Sequence, residues 1–348
     1  MQALSTNRAD RVAVNLLTRR EWSLVLAVSL FASVIAGFVL SRVGPPGDPE
    51  RQDPFQAILE DVTGATAWRY GARDDHGRVL DTIKIIENPE GGYLAVYHAW
   101  SGDEFLVHLA TSTDLIRWAF TTTLEAGASQ PTIASLPNGG YLVAFEKEAD
   151  GSHLRFAYYS DPASLFEGVP QRIFDAPRTL SPFHEGTPNI YGVAMGESVT
   201  NSRIVAGFHY FDDRLGVDRV ATGVLRNFTT WTTEDSTAYN EALVSESAKG
   251  NIGDRDDGAF LGDEYIVQEV QFAAGDWSSW RVFLYEVSTD TFALLNIKSH
   301  AGSTAFANPT FTVLKSPNGA DCVVVTYFVP QESAKGGESG QLIFYTEY

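Results

Sequence analysis

The stretch from Gln130 to Glu146 reads QPTIASLPNGGYLVAFE, and versions of it recur down the chain. Ile133 to Leu136 is a short apolar run, Pro137-Asn138-Gly139-Gly140 supplies turn chemistry, and Tyr141 to Phe145 is an aromatic and aliphatic return. The unit is therefore an antiparallel hairpin. Related copies begin near Leu80, Thr187, Asp257 and Asn308, giving successive spacings of 50, 57, 70 and 51 residues. Periods near 50 residues belong to β-propellers with one four-stranded blade per repeat. Third strands are expected at Phe105–Ala110, Leu154–Tyr159, Arg219–Leu225, Trp280–Val287 and Leu342–Thr346. A turn followed by a short outer strand is expected in each of Ser112–Trp118, Ser160–Phe166, Asn227–Trp231 and Ser288–Phe292. The fifth repeat ends at Tyr348 after its third strand, so the segment Ala65–Ala72 is predicted to return as its outer strand and close the ring. The reading is an all-β, five-bladed propeller over residues 64–348. The alternative, a β-sandwich of irregular strands, does not account for the near-regular turn spacing.

The formal net charge is -19, and it is unevenly placed. Residues 1–42 carry five Arg and two acids, which leaves 20 basic against 42 acidic residues in the remainder. An acidic body repels phosphate backbones, so nucleic acid is excluded as a partner and a neutral or cationic ligand is favoured. The one cysteine, Cys322, precedes Val323-Val324-Val325 and reads as a small core residue.

Residues 22–43 open with an uncharged apolar run, Trp22 to Ser41, about long enough to cross a ~30 Å hydrocarbon layer. With Arg8, Arg11, Arg19 and Arg20 ahead of it, the positive-inside rule predicts a cytoplasmic tail at 1–21 and an extracytoplasmic body. A cleaved twin-arginine export signal is the alternative reading, and would give a secreted protein. Residues 44–63 begin Gly-Pro-Pro-Gly-Asp-Pro and read as a spacer.

In a propeller the starts of the first strands and the ends of the second strands open on one face. That face is predicted to collect Asp81, Gln130, Glu185, Arg255, Asp256 and Asn308 from the first strands. From the second strands it would take Trp100, Glu146, His209 and Glu269. Crowded carboxylates near a concavity shift one another's protonation, as acid/base chemistry requires. No Cys/His spacing resembles a metal site, and no cofactor is called for beyond the option of a central structural cation. Asn227-Phe228-Thr229 is a glycosylation sequon, meaningful in a eukaryotic secretory pathway.

Two motifs carry a resemblance. Leu109-Ala-Thr-Ser-Thr-Asp-Leu-Ile-Arg-Trp118 is similar to the serine-rich blade turn of the five-bladed glycoside hydrolases of the arabinanase, xylosidase and invertase type. His184-Glu185-Gly186-Thr187-Pro188 resembles the segment that carries their general acid, a Glu followed by Gly and Pro. The resemblance implies Glu185 as acid, Asp81 as base or nucleophile, and Asp256 as a second candidate base. Gln130, Glu146, His209, Arg255, Glu269, Asn308 and Trp100 would contact the sugar. Two departures stand out: Thr187 separates Gly186 from Pro188, and Gln130 stands where the family has an Asp, with Glu146 able to supply that charge. The expected function is hydrolysis of an extracytoplasmic glycan by a carboxylate pair. The alternative is a non-catalytic propeller that binds carbohydrate or protein. The sequence does not specify the number of subunits.

Overall fold

A computed structural model describes residues 53–348. Its strands form five four-stranded antiparallel sheets around a central channel, in agreement with the repeat count. The first blade is β2 (Asp81–Glu87), β3 (Tyr93–Trp100), β4 (Phe105–Ser112) and β5 (Ala119–Ala126). The second is β6 (Ala128–Ser135), β7 (Tyr141–Glu148), β8 (Ser152–Tyr159) and β9 (Arg172–Asp175). The third is β10 (Glu185–Met195), β11 (Ser202–Asp212), β12 (Val217–Arg226) and β13 (Thr230–Asp235). The fourth is β14 (Ile252–Phe260), β15 (Asp263–Gln271), β16 (Trp280–Glu286) and β17 (Thr291–Leu294). The fifth contains β18 (Ala307–Lys315), β19 (Asp321–Val329) and β20 (Gly340–Glu347). Its outer strand is β1 (Ala67–Arg69), paired antiparallel to β20 as Ala67↔Tyr345, Trp68↔Phe344 and Arg69↔Ile343. The predicted closure is present: a strand from ahead of the first blade completes the last.

The hairpin turns form as their residues dictate. Leu136 N–H donates to Gly140 O at 2.9 Å, Asn138 Oδ1 takes the Gly140 N–H, and Gly139 sits at φ +83°, a conformation that costs glycine nothing. The core is divided among the five boundaries between blades. Leu142, Phe156, Phe208 and Trp231 pack between the second and third sheets, and Val96, Val107, Phe145 and Tyr159 between the first and second. Cys322 lies fully buried between the fifth and first sheets, where burial pushes its thiol up to about 12.

Three expectations are corrected. In the first two blades the outer strands fall later than predicted, because the serine-rich segments are turn or helix, whereas in the third and fourth they begin inside the predicted segments, at Thr230 and Thr291. Ser112 Oγ accepts the N–H groups of Asp114 and Leu115, Asp114 Oδ1 accepts those of Ile116 and Arg117, and Trp118 Nε1 donates to Leu115 O. In the second blade the corresponding residues are a helix, α2 (Pro162–Phe166), capped by Asp161. The fourth blade starts at Ile252 rather than Asp257, after a further helix, α3 (Thr237–Ser245). Finally, part of the predicted spacer is helix α1 (Pro54–Glu60), wedged between the fourth and fifth blades. Asp53 caps it through the Phe55 N–H, and Phe55 inserts among Phe260, Tyr265 and Phe311 at ring distances of 4.6–5.0 Å. No described helix is long and apolar enough to cross a membrane, and the segment predicted to do so, 22–43, lies outside the described residues.

Candidate functional site

The channel mouth is built by one repeated distortion. In every first strand the register slips by one residue near its start: between Asp81 and Lys84, Ser129 and Thr132, Gly186 and Asn189, Ile252 and Arg255, and Ala307 and Thr310. Such β-bulges bend the strand and re-aim its side chains. In four blades the bulge holds a non-glycine residue in the left-handed region: Thr82 (φ 48°), Gln130 (φ 52°), Thr187 (φ 46°) and Asn308 (φ 46°). Each such residue costs about 1–3 kcal/mol, so surrounding contacts must hold it there.

Two of those contacts cross from one blade to the next. The Gln130 N–H donates to His98 Nδ1 at 3.2 Å, and the Asn308 N–H donates to Glu269 Oε2 at 2.7 Å. Asn308 Nδ2 in turn donates to Thr82 Oγ1 at 2.9 Å and lies 3.5 Å from Asp81 Oδ1. Because His98 Nδ1 accepts, its proton is on Nε2, which faces Asp81 Oδ2 at 3.6 Å. Burial lowers the His98 pKa against the opposing pull of Asp81 and Glu146, which keeps the ring neutral. Gly186 makes room for two more groups: a Cβ there would lie 1.9 Å from Glu146 Oε2 and 3.2 Å from His209 Nε2. Asp81, Gln130, Glu146, His209 and Asn308 are half-buried, and beside them Phe105 packs edge-on against both His98 and Trp100. Trp100 is 58% exposed.

Below the mouth the channel narrows to a cavity of ≈ 10 Å³ lined by Thr82, Lys84, Gln130, Thr132, Asn189 and Asp256, with room for about one water. Lys84 Nζ pairs with Asp256 Oδ2 and donates to Phe311 O at 2.9 Å, while Asp256 Oδ2 also takes the Phe311 N–H at 2.9 Å. Burial raises the Asp256 pKa in spite of Lys84. The second candidate base is thus half of a buried ion pair that plugs the channel, a role not assigned to Lys84 from the sequence. Its position as a lone cation in the apolar run Ile83-Lys84-Ile85-Ile86 was the available signal.

Glu185 is not at the mouth. Its Oε1 accepts three backbone N–H groups, from Thr179 (2.7 Å), Leu180 (2.6 Å) and Ser181 (3.2 Å), and the residue is 1% exposed. The reason is parity. Asp81 pairs with His98, and the matching pair in the third blade is Gly186 with His209, so Glu185 falls one residue earlier and projects to the other face of its strand. The structure therefore brings Asp81, Gln130, Glu146, His209 and Asn308 together at one mouth, buries Glu269 as a latch to the next blade, and engages Glu185 with three backbone amides and Asp256 with Lys84. Arg255 pairs with Gln268 on the backbone, and its side chain lies outside what is described. Among the described residues no three His, Cys, Asp or Glu side chains cluster to hold a metal ion.

With the fold and mouth in place, comparison with solved structures gives a consistent class. A protein solved as a glycoside hydrolase superposes with TM-score 0.56 at 12% identity, covering 82% of this chain and 93% of its own. An N-acetylgalactosamine deacetylase from F. plautii, in complex with blood group B trisaccharide, gives 0.52 at 10% identity over 84% and 94%. An exo-1,5-α-L-arabinanase from a bovine ruminal metagenomic library gives 0.51 at 10% identity over 78% and 94%. No family model and no curated protein sequence matches the chain. The protein is a five-bladed β-propeller whose fold is that of glycoside hydrolases of this architecture, at low identity.

Proposed function

We propose that this propeller binds a glycan at the channel mouth without cleaving it. The observation that carries the reading is the fate of the carboxylates. Hydrolysis needs two of them on opposite sides of a glycosidic bond, one able to give a proton and one to accept. Here Glu185 is engaged by three backbone amides and Asp256 by Lys84 and the Phe311 N–H. What remains at the mouth is Asp81 and Glu146, on adjacent blades about the neutral His98, with polar groups held by strained bulges beside the Phe105 and Trp100 rings, the mixture of fixed polar groups and aromatic surface that ligand sites use. The solved relatives of this fold include proteins that act on or bind sugars. The test is a panel of oligosaccharides and polysaccharides incubated with the protein, followed both by calorimetry and by assay of released reducing ends. Saturable binding without release, lost in Asp81→Ala and retained in Glu185→Gln, is the expected result.

A hydrolytic reading draws on Asp81 and Glu146, which are half-exposed on adjacent blades and flank the neutral His98. Sustained release of sugar that disappears in both Asp81→Asn and Glu146→Gln would select it. The anchoring predicted for residues 22–43 is likewise a proposal. Carbonate-resistant membrane retention of the full chain, with the propeller open to added protease in spheroplasts, is the outcome expected.

A further inference from the structure

The groups at the mouth are unequal in kind. Asp81 and Glu146 can only accept hydrogen bonds when ionised, and among the described residues no lysine or arginine pairs with either. The nearby lysines are engaged elsewhere, Lys84 with Asp256, and Lys147 with Glu125 at 3.1 Å and with Ala126 O. His98 faces Asp81 as a neutral ring. Independently of the carboxylates, Gln130 Oε1 and His209 Nδ1 are buried polar atoms with no hydrogen-bond partner, and Gln130 lines the channel cavity. A buried acceptor left empty costs about 1–3 kcal/mol, so Gln130 Oε1 calls for a donor from outside the chain, and His209 Nδ1 for a partner of either kind. Two of the chain's own donors at the mouth are already directed at its acceptors, Asn308 Nδ2 at Thr82 and Asp81 and His98 Nε2 at Asp81.

A site with acceptors to fill, two carboxylates that no lysine or arginine pairs with among the described residues, and a flanking indole is complementary to a ligand carrying positive charge and several N–H groups on a sugar-sized frame. Resting on the glycan-binding reading above, we propose that the mouth selects an unacetylated amino sugar, its ammonium seated between Asp81 and Glu146. An ammonium offers three donors, enough for both carboxylates and one of the empty acceptors. N-acetylation removes the charge, leaves one N–H and adds bulk where Glu146 packs against Gly186.

The experiment is calorimetric titration of the full chain with the trisaccharides of glucosamine and galactosamine, their N-acetylated counterparts, galactotriose and a trilysine peptide. Amine-bearing sugars are expected to bind at least tenfold more tightly than the acetylated and neutral ones. Glu146→Gln should bring that ratio close to one, whereas Asp263→Asn, an exposed acid at the opposite end of the fourth blade, should leave it unchanged. Equal affinity for acetylated or neutral sugars overturns the inference while leaving glycan binding intact. An equal effect of Asp263→Asn overturns it in favour of bulk charge, and trilysine binding as tightly as the amino sugars overturns it in favour of a peptide ligand. If no sugar of any kind binds, both this inference and the glycan-binding reading fail.

Discussion

Glu185 takes the backbone N–H of Leu180 on its Oε1 at 2.6 Å, and with the Thr179 and Ser181 amides completes a loop wrapped around one buried carboxylate. The same glutamate that sequence similarity marks as a proton donor is thus an organiser of the segment leading into the third blade. Bonds to a charged acceptor are worth about 1.5–3 kcal/mol each, and unmaking them exposes buried amides to the full penalty. Glu185→Ala is expected to lower stability by roughly 2–4 kcal/mol in urea unfolding. Sugar binding at the mouth should persist in the folded fraction, and loss of binding at full stability would return Glu185 to the site.

Lys84 and Asp256 form a pair with side-chain exposures of 12% and 3%. Removing one partner from a buried pair strands the other charge, at a cost of about 3–5 kcal/mol, whereas replacing both with apolar groups is often neutral. Lys84→Met alone is expected to destabilise by that order, and Lys84→Met combined with Asp256→Leu to recover most of the loss. Unfolding midpoints of the two single variants and the double variant test the coupling directly.

Much of this was readable from the chain. Five hairpins with turn residues at near-regular spacing specify five blades, and the missing fourth strand of the last repeat required a donor, which Ala67–Arg69 supplies. What escaped was where a turn gives way to its strand and what each side chain meets. In Ser112–Trp118 the turn takes the whole segment, because Ser112 and Asp114 draw the local amides to their side chains, so β5 begins only at Ala119. Residues 250–257 are too polar to signal a strand, and the fourth blade's start was placed late. The mouth residues were found because the end of a strand is a topological position. The surroundings of Glu185 were not, because the face a side chain occupies is set by strand register, and no composition reports that.

Acid should weaken the first blade. His108 is fully buried, lies beside Tyr97 at a ring distance of 5.2 Å, and has Nε2 without a partner. Burial, assisted by the nearby Arg78, lowers its pKa to about 4. A histidine whose folded value is depressed binds its proton in the unfolded chain first, so its contribution is complete above the unfolded value of ~6.5. That contribution is lost as pH falls from there to about 4, and amounts to roughly 2–4 kcal/mol. Asp74 beneath it is held low: burial works against ionisation, but hydrogen bonds from Tyr97 and Arg78 prevail, so its loss begins only in more acid solution. Urea midpoints measured between pH 7 and pH 4.5 should fall steeply for the native chain and more shallowly for His108→Gln.

The wedge helix α1 supplies the last expectation. Phe55 is fully buried, and its ring meets Phe260 at 4.9 Å, Tyr265 at 4.6 Å and Phe311 at 5.0 Å, so it joins the fourth sheet to the fifth. Leu59 O accepts the Tyr327 hydroxyl at 3.1 Å, and Glu60 Oε1 accepts the Asn296 N–H at 2.9 Å, which anchors the helix to both blades. A propeller is only as cooperative as its weakest boundary, and here seven residues from outside the repeats fill one of the five. Truncating a buried phenylalanine costs about 3–5 kcal/mol, because the lost contacts and the remaining cavity add. Phe55→Ala is expected to fall in that range, and deletion of residues 1–63 to lower the unfolding midpoint further. Protease cleavage should then concentrate in the loops flanking Ile297 and Ala334, the partly buried residues packed against this cluster. An unchanged midpoint in Phe55→Ala would mean that the two sheets close on each other without the helix.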